Sequence, residues 1–371
     1  MPRLASSLAV ILLSAALLPQ LAEAATAFPG PRLATVTLTQ TKGSERDENA
    51  VPPVMSLQTL APSGAPRQTL LAGRLEGKGE VVPVPFYGPR WSADGGLIAF
   101  AGSSGTGQRI YVVSADGTGL RAVPGTKGGS RPVLSPDGHT LAFARTRFRS
   151  HLDLKHITEP GKSRSRFYAS TTIWLVDLDG GGSHRLTRWR NGLANEPSSF
   201  SPDGSTLALT KNDDHLDGPR VMLMRLDGSG SAELVQLGEE PEFSPDGSRI
   251  AFVGYMDRDV VKAEENQDYA AGELYTIGVD RSGLRRITRT NDLIESAPSW
   301  DPSGARIAYV RVRADMSFIP ELALLFPVGN AIMQVNADGT CPSRVASIGK
   351  VAFYGVAWQP GPGREAGPIA C

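Results

Sequence analysis

The chain has 371 residues, and its 38 Lys and Arg residues balance 38 Asp and Glu residues, so its formal net charge is zero. A neutral chain gives no electrostatic reason to expect a nucleic acid or an anionic membrane as partner. Gly and Pro contribute 41 and 28 residues, a turn-rich composition that argues against an all-helical protein. Two Cys are too few for a disulfide-rich scaffold or a structural zinc cluster.

The first 24 residues are typical of a secretory signal peptide. Arg3 precedes the uncharged apolar stretch Leu8–Leu18, and Ala22 and Ala24 provide the small residues of a cleavage site. The apolar stretch is shorter than the ~20 residues that a membrane-spanning helix needs, and no Cys follows it to carry a lipid. We therefore expect a mature chain that is periplasmic or secreted and has no transmembrane segment.

Five copies of one motif follow, each made of a Ser-Pro-Asp-Gly type of turn and a short apolar strand. Pro presets the second residue of such a turn, and Gly accepts the left-handed fourth position. Where no insertion intervenes, the copies are 43 residues apart, which is the period of a propeller blade with four antiparallel strands. They read WSADGGLIAF from Trp91, LSPDGHTLAF from Leu134, FSPDGSTLAL from Phe200, FSPDGSRIAF from Phe243 and WDPSGARIAY from Trp300.

A small residue recurs in the middle of each of these strands. A small side chain that recurs at the same strand position indicates that sheets stack face to face there, because a larger side chain would not fit. Both faces of each sheet are then buried. The small residues are Ala99, Ala142, Ala208, Ala251 and Ala308.

The two ends of the chain together supply one further blade. Val356–Gln359 matches an opening strand without a successor, whereas Arg32–Ala34 matches a second strand that lacks an opening strand. Pairing the two fragments closes the ring and removes exposed sheet edges. The sequence thus predicts an all-β fold: a six-bladed β-propeller in a single domain over residues 25–371, with a short tail at 361–371.

The repeats resemble those of the TolB-type, WD-like propeller family, in which the same Trp/Phe-Ser-Pro-Asp-Gly turn precedes Ile-Ala-Phe. The resemblance covers about residues 32–360 and concerns the propeller part only, because the α/β domain that precedes the TolB propeller has no counterpart here. It implies a binding module of the cell envelope whose partner is a protein or peptide, or alternatively a sugar. We expect the module to be a monomer.

Three insertions lengthen the spacing of the repeats, and each lies between the second and third strands of a blade. In a propeller these connections share one face, here called the insertion face, and loops grown on one face of a rigid scaffold are the usual place for binding. The insertions span roughly residues 147–171, 256–271 and 314–329 and are basic, acidic and apolar in that order. Their candidate binding residues are Arg164, Arg166, Asp257, Asp259, Glu264, Glu265, Phe318, Leu325 and Phe326. The alternative is that the charged loops are only solvated and the apolar loop packs onto the ring.

Four charged residues stand at or just before opening strands, which line the central channel of a propeller. They are Arg131, Glu196, Glu240 and Glu295. The three Glu residues could hold a cation or a basic group at the channel mouth, or each could be solvated. No cofactor is otherwise predicted, and the recurrent Asp residues of the turns are interpreted as turn formers.

The sequence predicts no catalytic residue and no set of metal ligands. It contains no Gly-x-Ser-x-Gly elbow, no His-x-x-x-His pair and no Cys-x-x-Cys pair. It therefore favours a binding module, with a channel-sited enzyme such as a metal-dependent sugar lyase or hydrolase as the alternative. Cys341 and Cys371 are expected to form a disulfide in an exported chain, the alternative being free thiols and a loose tail.

Overall fold

The structure is a computed structural model, and the expected signal peptide lies outside the residues that it describes. The described residues are 32–39, 54–63, 68–74, 84–85, 88–104, 107–152, 165–213, 216–256, 260–262, 268–270, 272–290, 293–313, 331–347, 351–361 and 367–371.

Within these ranges the regular structure is entirely β. The strands are β1 (Leu33–Thr39), β2 (Val54–Leu60), β3 (Gln68–Arg74), β4 (Val84–Pro85), β5 (Arg90–Trp91), β6 (Leu97–Ser104), β7 (Gly107–Ser114), β8 (Arg121–Ala122), β9 (Gly129–Leu134), β10 (Thr140–Leu152), β11 (Ser165–Asp177), β12 (His184–Arg185), β13 (Leu193–Phe200), β14 (Thr206–Asp213), β15 (Arg220–Arg225), β16 (Ser231–Gln236), β17 (Gly238–Phe243), β18 (Arg249–Gly254), β19 (Val260–Lys262), β20 (Asp268–Ala270), β21 (Glu273–Gly278), β22 (Arg285–Arg286), β23 (Leu293–Trp300), β24 (Arg306–Arg313), β25 (Ala331–Asn336), β26 (Ser343–Ser347) and β27 (Val351–Trp358).

The strands pair in antiparallel units that follow the sequence repeats. β13 to β16 form one unit and β23 to β26 another, and β17, β18, β21 and β22 pair in the same order. β9 to β12 and β5 to β8 repeat the pattern, with β4 added to the latter. A single parallel pair, Thr171 with Ala194, links the β9–β12 unit to the β13–β16 unit. The all-β class and the propeller arrangement that the repeats predict are confirmed.

The last strand pairs with the first, as the two sequence fragments predict. β27 lies antiparallel to β1 with Trp358 opposite Leu33 and Val356 opposite Thr35, and β1 continues to β2 and β3. The Trp91 indole N–H also donates to the Ala357 carbonyl at 3.1 Å. The strands at the two ends of the described chain therefore share one four-stranded unit, here called the terminal unit.

Hydrophobic clusters lie between successive units. One cluster packs Ala99 and Ile110 of the β5–β8 unit against Phe143 of the β9–β12 unit. A second packs Val310 of the β23–β26 unit against Phe353 of the terminal unit. The mid-strand Ala residues of the five repeats are at most 1% exposed, which confirms that the sheets stack face to face where only a small side chain fits.

The Asp side chains of the repeat turns accept hydrogen bonds from within their own turn. Asp137 Oδ1 accepts hydrogen bonds from the Ser135 hydroxyl at 2.5 Å and from the His139 N–H at 3.0 Å, and Gly138 takes the left-handed φ of 72°. The same hydrogen bonds recur at Asp203 and Asp246. These carboxylates are turn formers, as the sequence indicates.

Candidate functional site

Bulges in three innermost strands redirect the residues that they carry. β9, β17 and β23 each have a register shift against the next strand of their unit. At these bulges Arg131, Glu240 and Ala297 adopt φ values of 48°, 52° and 51°, and each residue precedes a Pro. A positive φ is uncommon outside Gly, and a bulge re-aims the side chain that it carries.

Three of the four charged residues that the sequence predicts at a channel mouth lie together. Arg131 Nε lies 2.9 Å from Glu196 Oε2, and Arg131 Nη1 lies 3.5 Å from Glu240 Oε1. These residues come from β9, β13 and β17, which belong to three successive units. Glu240 Oε2 also accepts the Ala297 N–H at 2.6 Å. The positive group between the two carboxylates in this structure is the Arg131 guanidinium.

Glu239 belongs to the same group, although only the consecutive Glu residues before Pro241 hint at it in the sequence. The Tyr255 hydroxyl donates a hydrogen bond to Glu239 Oε1. Burial, reinforced by the charge of Glu240, raises the pKa of Glu239 to about 7, while Arg131 acts in the opposite direction. Burial also raises the pKa of Tyr255. Near neutral pH this carboxyl therefore exchanges a proton.

The raised pKa predicts that stability falls as the pH rises through neutrality. The folded chain keeps a proton on Glu239 up to about pH 7, whereas the unfolded chain releases it near the ordinary glutamate value of about 4.3. The stabilising contribution is complete below the unfolded value and is lost as the pH rises through the folded value. We expect Glu239→Gln, which keeps an acceptor for Tyr255, to flatten the melting temperature between about pH 5 and about pH 8. An unchanged pH profile in this variant would assign the titration to another group.

Glu295 lies in a different, buried network between the β17–β22 strands and the β23–β26 unit. Its side chain is 0% exposed, and Arg311 Nη2 contacts Glu295 Oε1 at 2.6 Å. Glu273, also buried, contacts Arg286 at 3.1 Å, and Thr290 donates to both carboxylates. Burial raises the pKa of Glu295, and Arg311 opposes that rise. The structure therefore shows Glu295 as part of an interunit ion-pair network.

The candidate residues of the insertions lie mostly outside the described residues. This applies to Arg164, Asp257, Asp259, Glu264, Glu265, Phe318, Leu325 and Phe326. Arg166 falls within β11, where its backbone pairs with His151 of β10. The first insertion is thus partly an extension of the two strands, each 13 residues long, and the second contains the short hairpin of β19 and β20.

A groove between the β9–β12 and β13–β16 units was not anticipated from the repeats. Its cavity has a volume of about 360 Å³. We call it the basic groove, and it is lined by Arg188, Arg190, Asn195, Lys211, Met222 and Met224 among others. Arg190 contacts the buried Asp213 carboxylate at 3.4 Å. The other two cations have no carboxylate partner among the described residues.

A second cavity of about 390 Å³ adjoins the basic groove at Arg190, which lines both. Trp189 and Arg147 line its walls, and the guanidinium of Arg147 lies 5.6 Å from the centre of the Trp189 ring. Arg185 approaches the same ring at 6.0 Å. The sequence contains one signal for this surface, the Arg-Trp-Arg segment at 188–190. The matching segment of the next-but-one repeat reads Arg-Thr-Asn, so the Trp and the second Arg are specific to this repeat.

Cys341 and Cys371 are joined by a disulfide, and their Cα atoms lie 5.2 Å apart. The end of the chain also docks through polar contacts, since Asn336 Nδ2 donates to the Ile369 carbonyl at 3.0 Å and the Ile369 N–H donates back to Asn336 Oδ1 at 2.6 Å. The disulfide therefore fastens a tail that already packs beside β25.

Removing the disulfide is expected to lower stability. In the chain-entropy account, a bridge over a separation of 30 residues restricts the unfolded chain and contributes roughly 3–4 kcal/mol. We expect Cys371→Ser to lower the melting temperature, and a reductant to lower that of the natural chain equally while leaving the variant unchanged. Titration of the denatured protein should find no reactive thiol. Two reactive thiols would refute the pairing.

The described ranges contain no converging group of three His, Cys, Asp or Glu side chains that could hold a metal ion. In the same ranges no helix is long and apolar enough to cross a membrane.

No protein-family model and no curated protein matches the chain. Solved structures do match it. The chain is similar to TolB from Acinetobacter baumannii, with a TM-score of 0.60 and 19% identity over 91% of this chain and 69% of that one. It is also similar to a provisionally assigned TolB from Agrobacterium tumefaciens, with a TM-score of 0.56 and 16% identity over 89% of this chain and 99% of that one.

A chain of the nidogen–laminin complex gives a TM-score of 0.52 and 13% identity over 88% of this chain and 98% of that one. At such low identities the likeness concerns the fold. The fold is that of the TolB-type β-propellers, as the repeats indicate.

Proposed function

We propose that the chain is an exported six-bladed propeller that binds a protein or peptide of the cell envelope at its insertion face. Six blades follow from the repeats, and the pairing of β27 with β1 together with the clusters between successive units supports a closed ring. In this proposal Arg131 takes the place of a cation at the channel mouth. Export rests on residues 1–24, and mass spectrometry of the secreted chain should find its N-terminus at residue 25.

The observation that carries the proposal is that one end of the propeller has an extended pair of strands, β10 and β11. The β10–β11 hairpin continues beyond Arg145, which pairs with Gly129 at the start of the inner strand β9. Phe148 on this extension is 75% exposed. This strand pairing supports placing the predicted channel mouth and the extension at one end, whereas the described repeat turns at the other end are alike. Specific recognition requires asymmetry, which the extension gives to the first end.

Capture of partners from an envelope extract tests the proposal. We expect the double change Arg164→Glu and Arg166→Glu to slow association and weaken its salt dependence, because a charge-steered partner loses its attraction. Shortening the 314–329 segment should reduce capture by a further factor, since buried apolar anchors each contribute about 1–3 kcal/mol to binding. The matched control is Arg225→Glu, which changes an exposed Arg near the turn at Asp227.

Two results would contradict the proposal. One is capture that persists in both insertion variants and is lost in the Arg225 control. The other is turnover of an oligosaccharide by the purified chain, which would favour the channel-sited enzyme.

A further inference from the structure

Two interunit sites occupy equivalent positions in the repeat. In one, the Thr187 hydroxyl oxygen accepts the Ile173 N–H at 2.9 Å; in the other, Thr288 accepts the Leu274 N–H at the same distance. The strand registers agree as well, because Asn195 pairs with Lys211 where Glu295 pairs with Arg311. The basic groove can therefore be compared residue by residue with the buried network around Glu295.

The comparison shows which charges the basic groove lacks. In the network, the carboxylates of Glu273 and Glu295 neutralise Arg286 and Arg311. In the basic groove the corresponding carboxylate positions hold the neutral Thr172 and Asn195.

Basic residues nevertheless occupy the positions that correspond to the two Arg residues of the network. In the aligned repeats Arg185 corresponds to Arg286 and Lys211 to Arg311, and Arg190 stands at the sequence position that matches Asn291. Among the described residues, the acidic side chain in contact with these cations is Asp213, which Arg190 contacts. The groove thus carries positive charge that the described residues leave unbalanced.

The walls of the groove also contain apolar surface. The buried Leu209 and the half-buried Met222 and Met224 are among its lining residues. Met side chains are flexible and adapt to different apolar partners. The two adjoining cavities, about 360 and 390 Å³, have the size of ligand pockets. An occupant would meet cations beside an adaptable apolar wall.

We propose that the basic groove binds a short acidic segment of a protein partner, with a carboxylate placed beside Lys211 and Arg188 as Glu295 is placed beside Arg311. An aliphatic side chain next to that carboxylate packs against Met222 and Met224. Charge complementarity and the apolar wall together favour this occupant. The proposal rests on the proposed role as an interaction module and specifies the chemistry of the partner.

The test uses the purified mature chain and fluorescein-labelled hexapeptides that alternate acidic and aliphatic residues, followed by fluorescence anisotropy. We expect saturable binding that weakens with salt, and that is lost when the acidic residues are replaced by their amides. Lys211→Glu and Arg188→Glu should each weaken binding by about tenfold or more, since each removes a charge-assisted contact. Arg289→Glu is the matched control, because it changes the residue equivalent to Arg188 in the neutralised site.

A second variant tests the site without removing a cation. Asn195→Glu rebuilds the carboxylate that Glu295 provides in the equivalent site, so it should pair with Lys211 and occupy the groove from within. We expect peptide binding to fall about tenfold or more, with a melting temperature that is unchanged or raised. A variant that fails to fold would be recognised from the melting curve, and the Lys211 and Arg188 variants would then decide the matter.

The outcomes separate this proposal from the broader one. Peptide binding that is equal in the natural chain, Asn195→Glu and Lys211→Glu would overturn the groove, as would equal binding of the amide peptides. Octanoate binding in the groove without any peptide binding would also overturn it, because the occupant would then be a small carboxylate. Capture from an envelope extract that persists in these variants would leave the insertion-face proposal standing while the groove is rejected.

Discussion

A chain that ends at Val351 is expected not to fold to soluble protein. This truncation removes all but the first residue of β27, and with it the fully buried Phe353 and Val356 and the nearly buried Trp358. Deleting one buried Phe or Trp side chain typically costs about 3–5 kcal/mol. Several such losses together are as large as the roughly 5–15 kcal/mol by which a whole domain is stabilised. The unpaired edge of β1 would in addition be open to aggregation.

A chain that ends at Gly361 is the matched control. It lacks the tail and Cys371 but keeps β27 and Gln359, whose side-chain amide donates to the Gly95 carbonyl at 2.7 Å. We expect this chain to remain soluble with a lower melting temperature, because it loses the disulfide and the hydrogen bonds between Asn336 and Ile369. Closure of the ring by β27 would be refuted by a 1–351 chain that stays soluble and melts with the control.

The fold could be predicted because its determinants recur. Each turn needs a Gly with a positive φ, and each second strand needs a small residue where sheets stack, so a requirement repeated in every blade leaves a periodic trace. Gly138 and Ala142 illustrate the two requirements, at φ 72° and 0% exposure. The pairing of β27 with β1 follows from the same logic, because each end of the chain carries the part of the repeat that the other lacks.

The site could be predicted only in part, because it depends on contacts between repeats. Arg131, Glu196 and Glu240 occupy similar places in neighbouring inner strands, so the propeller arrangement is enough to predict that they meet. Glu295 also lies in the first half of an inner strand, but it precedes the bulge at Ala297 by two residues and pairs with Arg311 on the neighbouring strand. Glu196 matches Ser296 in register, so a difference of one register position separates Glu196, which contacts Arg131, from the buried Glu295.

The basic groove escaped prediction for a related reason. Its cations come from the segment after β12 and from β14, which belong to different repeats, and the decisive feature is a missing carboxylate. Asn195 has no unusual chemistry in the sequence. It becomes informative only when the structure places it in register with Lys211, where another repeat has Glu295 opposite Arg311.

Replacing Arg311 with Met should destabilise the chain strongly at neutral pH. Arg311 contacts Glu295 at 2.6 Å and the Tyr309 hydroxyl at 2.9 Å, and both partners are 0% exposed. Removing one member of a buried ion pair leaves an uncompensated charge, which typically costs about 3–5 kcal/mol. Chemical denaturation at neutral pH measures the loss. Arg225→Met, at an exposed ion pair with Asp227, should leave stability nearly unchanged, because solvent screens such a pair.

The pH dependence of this loss identifies its cause. Burial already raises the pKa of Glu295, and loss of Arg311 removes the nearby positive charge that opposes the rise. In the variant, the Glu295 carboxyl takes up a proton on folding at pH values where it is still ionised in the unfolded chain. The stability of the variant therefore recovers as the pH falls. The deficit of Arg311→Met should therefore shrink between about pH 7 and about pH 5.

A second substitution distinguishes the buried charge from lost packing. Adding Glu295→Leu to Arg311→Met removes the stranded carboxylate, and an apolar pair often replaces a buried ion pair at little net cost. The double variant should therefore be more stable at neutral pH than Arg311→Met alone and should lose its extra pH dependence. If the two changes are instead additive and the deficit is the same at both pH values, Arg311 stabilises the chain through the packing of its side chain and not through its charge.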